Sequence, residues 1–131
     1  MQAKYLRSAA VAAALLVAMA TSALADIKDY EFQLIDKEVK QGEATIAVKL
    51  VHKPSGRAIP DAVIFAKRLD MGPDKMEAMT APLDAVSSPE PGVYRFKTDL
   101  MMAGNWALSL GAKVQGEEGT VESKLIIKAT P

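Results

Sequence analysis

The sequence predicts an all-β protein, an antiparallel sandwich of about seven strands. Three observations carry this. Short segments alternate apolar and polar residues with a period of two. Clusters of Pro, Gly, Ser and Asn separate them. No segment after residue 25 repeats its apolar residues with a helical period over a useful length.

The elements follow in chain order. Tyr30 to Ile35 alternates weakly and reads as a first strand. Thr45 to His52 is clearer, with Ile46, Val48 and Leu50 on one face and Thr45, Ala47, Lys49 and Val51 on the other. Lys53-Pro54-Ser55-Gly56-Arg57 is a turn by composition. Ala62 to Leu69 reads as the next strand, alternating Val63, Phe65 and Lys67 against Ile64, Ala66 and Arg68. Its polar second half is expected to emerge from the core. Residues 70–84 have no clean period, and Pro73 and Pro82 argue against a long helix or a central strand there. A short helical turn over Asp74 to Met79 is the local expectation.

Ser87 to Gly92 is a second turn. Val93 to Thr98 places Tyr94, Phe96 and Thr98 on one face. Trp106, Leu108 and Leu110 face inward from the strand that follows Gly104-Asn105, which makes Trp106 a core anchor rather than a ligand platform. Gln115 to Gly119 is a hairpin loop. Val121 to Ala129 closes the sheet, with Leu125 and Ile127 on one face. Strands at this spacing point to an immunoglobulin-like arrangement.

The first residues read as a secretory signal. Lys4 and Arg7 form a basic start, Ala9 to Ala20 is an apolar run, and Ala23-Leu24-Ala25 is a cleavage site. The run is about a dozen residues, short of the roughly 20 that span a bilayer. The expectation is a cleaved signal over residues 1–25, one domain over residues 26–131, and a periplasmic, soluble product with no membrane span. The whole chain has 16 basic and 16 acidic residues; without Lys4 and Arg7 the net charge is −2. That balance gives no electrostatic case for nucleic acid. There is no cysteine, which removes thiolate metal sites and cysteine nucleophiles.

The residues that carry chemistry lie between Asp70 and Met79. Met71, Met76 and Met79 sit in a segment that also holds Gly72, Pro73 and several charges. A thioether is a soft donor suited to Cu(I) or Ag(I). On a helical turn, Met76 and Met79 would share a face. Met101 and Met102 precede the Gly104 turn; adjacent strand residues face opposite ways, so at most one joins a cluster. His52 is the one histidine and a further candidate donor. A hard-cation site at Asp70 and Asp74 has only two carboxylates, too few for calcium. Ser55, Ser87 and Ser88 sit in ordinary turns, and no serine triad or phosphate loop is in view. The chain is not expected to be an enzyme. The alternative to metal is that the methionines fill an irregular sandwich end or form an adaptable docking surface.

An ordered set of residues resembles the FixH/YtkA-like family. The set is Gly56 with Ile59-Pro60-Asp61-Ala62, Asp70-Met71, Met76-Glu77-Ala78-Met79, Pro91-Gly92-Val93-Tyr94 and Met102-Ala103-Gly104-Asn105-Trp106. It covers about residues 29–129. The resemblance implies a small β-sandwich exposed to the periplasm. FixH proteins are membrane-anchored and linked to cation handling during haem-copper oxidase assembly. This chain departs from them in its cleavable leader, and is similar to soluble members that accompany heavy-metal efflux systems. The resemblance maps the family's methionines onto Met71, Met76, Met79 and Met102. It implies a Cu(I) or Ag(I) carrier whose partner is a periplasmic efflux adaptor or a cuproprotein.

Overall fold

The computed structural model describes residues 26–131. The signal segment expected at residues 1–25 lies outside them. Ten strands are present among the described residues. In chain order they are β1 (Tyr30–Leu34), β2 (Glu38–Lys40), β3 (Gly42–His52), β4 (Arg57–Ala58), β5 (Val63–Met71), β6 (Met76–Ala81), β7 (Asp84–Val86), β8 (Val93–Leu100), β9 (Gly104–Lys113) and β10 (Val121–Thr130). One sheet runs β1-β3-β8-β7, with β4 added on β3; the other runs β2-β10-β9-β5-β6.

The all-β sandwich expected from the alternation is the fold. Four of the five long strands, β3, β8, β9 and β10, have the phases expected from their alternation. Ile46, Val48 and Leu50 are buried, as are Phe96, Thr98 and Leu100, and Trp106, Leu108 and Leu110. Trp106 is wholly enclosed, and its indole Nε1 donates to the Met102 carbonyl at 3.2 Å. Burying that ring with its polar atom satisfied makes it the core's largest single contributor. Tyr94 fastens the chain between β4 and β5: its hydroxyl donates to the Ile59 carbonyl at 2.9 Å and accepts from the Ala62 amide at 3.0 Å. Burial pushes the Tyr94 hydroxyl pKa above its ordinary value.

Four expectations are corrected. The pairing is not wholly antiparallel, because β2 runs parallel to β10. For the same reason β10 does not close its sheet; it lies between β9 and β2. Residues 76–81 form a strand, not a helical turn. Lys75 adopts a left-handed φ of 62° after a 3-10 turn at Gly72–Asp74, which reverses the chain and lays it back along β5. Finally, β5 is buried at the end opposite to the one expected. Leu69 and Met71 are enclosed, whereas Val63 and Phe65 are 59% and 58% exposed. A register shift against β9 between Ile64 and Ala66 turns Phe65 outward and resets the phase of the rest. Among the described residues, no helix is long and apolar enough to cross a membrane.

Candidate functional site

The methionine segment is built from the end of β5, a tight turn and the start of β6. The β5–β6 ladder pairs Leu69 with Ala81, Asp70 with Thr80, and then Met71 with Met76. Glu77, Ala78 and Met79 are therefore extra residues in β6. Directly opposed residues in an antiparallel pair share a face, about 5 Å apart at Cβ. In a regular strand, Met76 and Met79 would point to opposite faces. The extra residues cancel that rule, and both methionines rest half-buried against the core.

Two carboxylates hold the turn in place. Asp74 accepts from the Asn105 amide at 2.8 Å and from Asn105 Nδ2 at 3.1 Å. These two hydrogen bonds hold its pKa below the usual carboxylate value. Asp70 accepts from the Gly72 amide at 2.8 Å and from Arg68 Nε at 2.9 Å. Partial desolvation pushes the Asp70 pKa up, but the Gly72 and Arg68 hydrogen bonds outweigh it and the net shift is downward. Arg68 also donates to the Glu77 carbonyl at 3.0 Å, which pins the extra residues. Both carboxylates are thus engaged with separate donors. Among the described residues, no group of three or more His, Cys, Asp and Glu side chains comes together to hold a metal.

Gly104 closes this end. Its φ is +141°, and a Cβ there would lie 2.6 Å from Met71 Cε and 2.5 Å from Asp74 Oδ2. Only glycine lets the start of β9 pass so close. Met102, two residues earlier, is 37% exposed, and Met101 is 66% exposed. The loop carrying them is tied down by Trp106 at the Met102 carbonyl and by Gln41 Nε2 at the Met101 carbonyl, 3.0 Å.

The structure thus pairs Met71 with Met76, puts Met79 in the adjoining extra residues, and brings Gly104, two residues after Met102, against Met71. It does not place all of these methionines on an exposed loop: Met71 is fully enclosed. It also separates His52 from them. Met71 packs against Gly104, which follows the short loop from Leu100, the partner of Gly42, while His52 ends β3 at its other terminus, opposite Tyr30. Ten steps of about 3.3 Å along β3 separate Gly42 from His52, roughly 30 Å. His52 Nδ1 lies 2.7 Å from Ser55 Oγ, and the ring leans on Tyr30 at 5.0 Å. It therefore shapes the turn after β3, and an ion at the methionine end is out of its reach.

Sequence reasoning missed the Asp74–Asn105 clamp and the demand on Gly104. Gly104-Asn105 reads as a turn, but nothing local to it signals that Asp74 lies across the gap.

Fold and site together define a small β-sandwich module in which Met71 and Met76 are paired across two strands. The chain belongs to the YtkA-like family, whose family model matches residues 24–111. The match contains the whole methionine end and stops within β9. No curated protein gives a match to the chain. Among solved structures, the chain is similar to the filamin domain of Lin-41, with 16% identity and a TM-score of 0.43, over 72% of this chain and 90% of that one.

Proposed function

We propose that this protein is an exported accessory protein that carries Cu(I) or Ag(I) on methionine sulfur. One observation supports it above the rest: Met71 stands opposite Met76, Met79 lies in the adjoining extra residues, and Met102 comes from the loop before Gly104. With no cysteine in the chain, these thioethers are the soft donors available. Half-exposed Met76, Met79 and Met102 would meet the ion first, and enclosed Met71 would complete the set. Thioethers carry no proton, so binding would change little across the range in which carboxylates and imidazole titrate. The ion is cargo, passed to a periplasmic efflux adaptor or to a cuproprotein. The leader-like residues 1–25 support a periplasmic setting.

A second reading has its own observation. Met71 is fully enclosed, and Met76 and Met79 already rest on the core. The same packing suits an adaptable surface that docks a protein without metal.

Competition for Cu(I) against a chromogenic chelator separates the two. The carrier reading expects Met76→Leu/Met79→Leu/Met102→Leu to lose at least a hundredfold in affinity. Met→Leu replacement costs less than about 1.5 kcal/mol in stability, so the variant stays folded. Unchanged Cu(I) affinity in the folded triple variant rules the assignment out and leaves the docking reading.

A further inference from the structure

The two sheets part beside the first half of β5. Along β9 that strand is bonded from Val63 to Asp70, but β6 covers its other side only from Leu69 to Met71. The reason is Pro82. After Ala81 pairs with Leu69, the next residue has no N–H to continue the ladder, and the chain crosses to the other sheet, where it becomes β7. The gap left between the sheets is a cleft of about 400 Å³, a size that suits a small molecule. Ile64, Val86 and Phe96 give it apolar walls.

Two charges of opposite sign, unpaired among the described residues, line this cleft. One is Lys67. The register shift in β5 sets Ile64 opposite Ala112 and Lys67 opposite Leu110, both enclosed residues of β9. Residues three apart in a regular strand face opposite ways. The bulge at Phe65 therefore re-aims Lys67 to the core-facing side that Ile64 occupies. Its Nζ hangs 5.8 Å from the Phe96 ring centre. The other charge is Asp61, held at a left-handed φ of 61°. Tyr94 fixes the chain on both sides of it, through the Ile59 carbonyl and the Ala62 amide, and Gln115 Nε2 donates to its carbonyl at 3.3 Å. The remaining charges of the cleft, Glu90 and Arg95, bind each other at 3.1 Å.

We infer that this cleft binds a small apolar zwitterion, a free α-amino acid with an aliphatic side chain. Lys67 takes the carboxylate, Asp61 takes the ammonium, and the side chain lies among Ile64, Val86 and Phe96. The spacing suits such a guest. Asp61 is anchored at Tyr94 and Lys67 lies over Phe96, two steps along β8, which is roughly 7 Å. The ammonium and carboxylate of an α-amino acid are about 3 Å apart. A charge-assisted hydrogen bond of about 2.8 Å at each end brings the span to roughly 8–9 Å, within reach of the flexible lysine stem. A guest of one sign would answer only one of the two charges. The site shares no residue with the methionine segment and does not depend on metal.

The test is an amide NMR titration of the mature protein with L-leucine. Beside it run 4-methylpentanoate, which lacks the ammonium, and 3-methylbutylamine, which lacks the carboxylate. The expected result is saturable shifts confined to residues 60–67 and 85–96, with leucine bound at least about tenfold tighter than either analogue. Asp61→Asn suits the left-handed backbone; it should weaken leucine about tenfold and leave 4-methylpentanoate unchanged. Lys67→Met keeps the apolar stem; it should weaken leucine by a similar factor and leave 3-methylbutylamine unchanged. The amide spectra show that both variants are folded. No saturation at tens of millimolar leucine overturns the inference, as do shifts centred elsewhere. An analogue that binds as tightly as leucine overturns the zwitterion. Unchanged leucine affinity in a folded variant overturns the role of the residue replaced.

Discussion

The two halves of β5 behave as different strands. From Val63 to Arg68 it has no outer strand partner among the described residues, and Val63 and Phe65 are in solvent; from Leu69 to Met71 it lies between β9 and β6 with Leu69 and Met71 enclosed. Both halves are comparably apolar in sequence, so hydrophobicity does not distinguish them. A register shift at Phe65 sets the outward phase of the first half, and Pro82 decides where cover ends. The difference teaches that in a small sandwich the point where a chain changes sheets settles which residues are core and which are available to partners.

The sharpest break of this comparison is truncation in each half. Met71→Ala should destabilise by about 2–5 kcal/mol, since it empties enclosed volume. Phe65→Ala should stay within about 0.5 kcal/mol, as surface changes do. Denaturant melts of the two variants check this, and equal effects would erase the distinction. Next in size is Gly104→Ala. A Cβ there meets Met71 Cε and Asp74 Oδ2 at a backbone angle that favours glycine. The expected loss is about 1–3 kcal/mol by thermal melting, smaller if Met71 is also shortened, because the two then share one gap.

A smaller effect concerns acid. Asp70 and Asp74 both have depressed pKa values in the fold. Each therefore adds stability that is fully present above the unfolded carboxylate value, about 4, and is lost as pH falls through the lower, folded value. Melting temperature should drop on acidification through that window, and Asp74→Asn should flatten the drop. An unchanged acid limb in Asp74→Asn would mean the clamp to Asn105 contributes nothing. The smallest effect is expected at Thr98, whose hydroxyl is enclosed without a partner among the described residues. Thr98→Val should be neutral or stabilising by about 1 kcal/mol; a clear loss of stability would indicate a partner for the hydroxyl.

Legibility in the sequence tracked regularity. β3, β8, β9 and β10 place large apolar residues at every second position over much of their eight to eleven residues, so Ile46, Phe96, Trp106 and Ile127 were readable as core. β2, β4 and β7 have two or three residues each, too few for a period to register. β6 was hidden because its three extra residues break alternation, and the phase of β5 because one register shift does the same. At the candidate site, the soft-donor chemistry of Met71, Met76, Met79 and Met102 was visible in residue type alone. Their relative placement depends on pairing between distant segments, and the enclosure of Met71 depends on Gly104 lying over it. Strand phase likewise could not tell that His52 and Met71 sit at opposite ends, because that requires the order of strands in both sheets.

The central claim is that thioethers at one end of this sandwich take a single soft ion. Methyl-carbon-labelled methionine, followed by NMR during Ag(I) titration, tests it residue by residue. The account predicts that the methyl signals of Met71, Met76, Met79 and Met102 move together and stop at one equivalent, while that of Met101 stays in place. Methionine signals that do not move, or a response confined to exposed Met101, would contradict it.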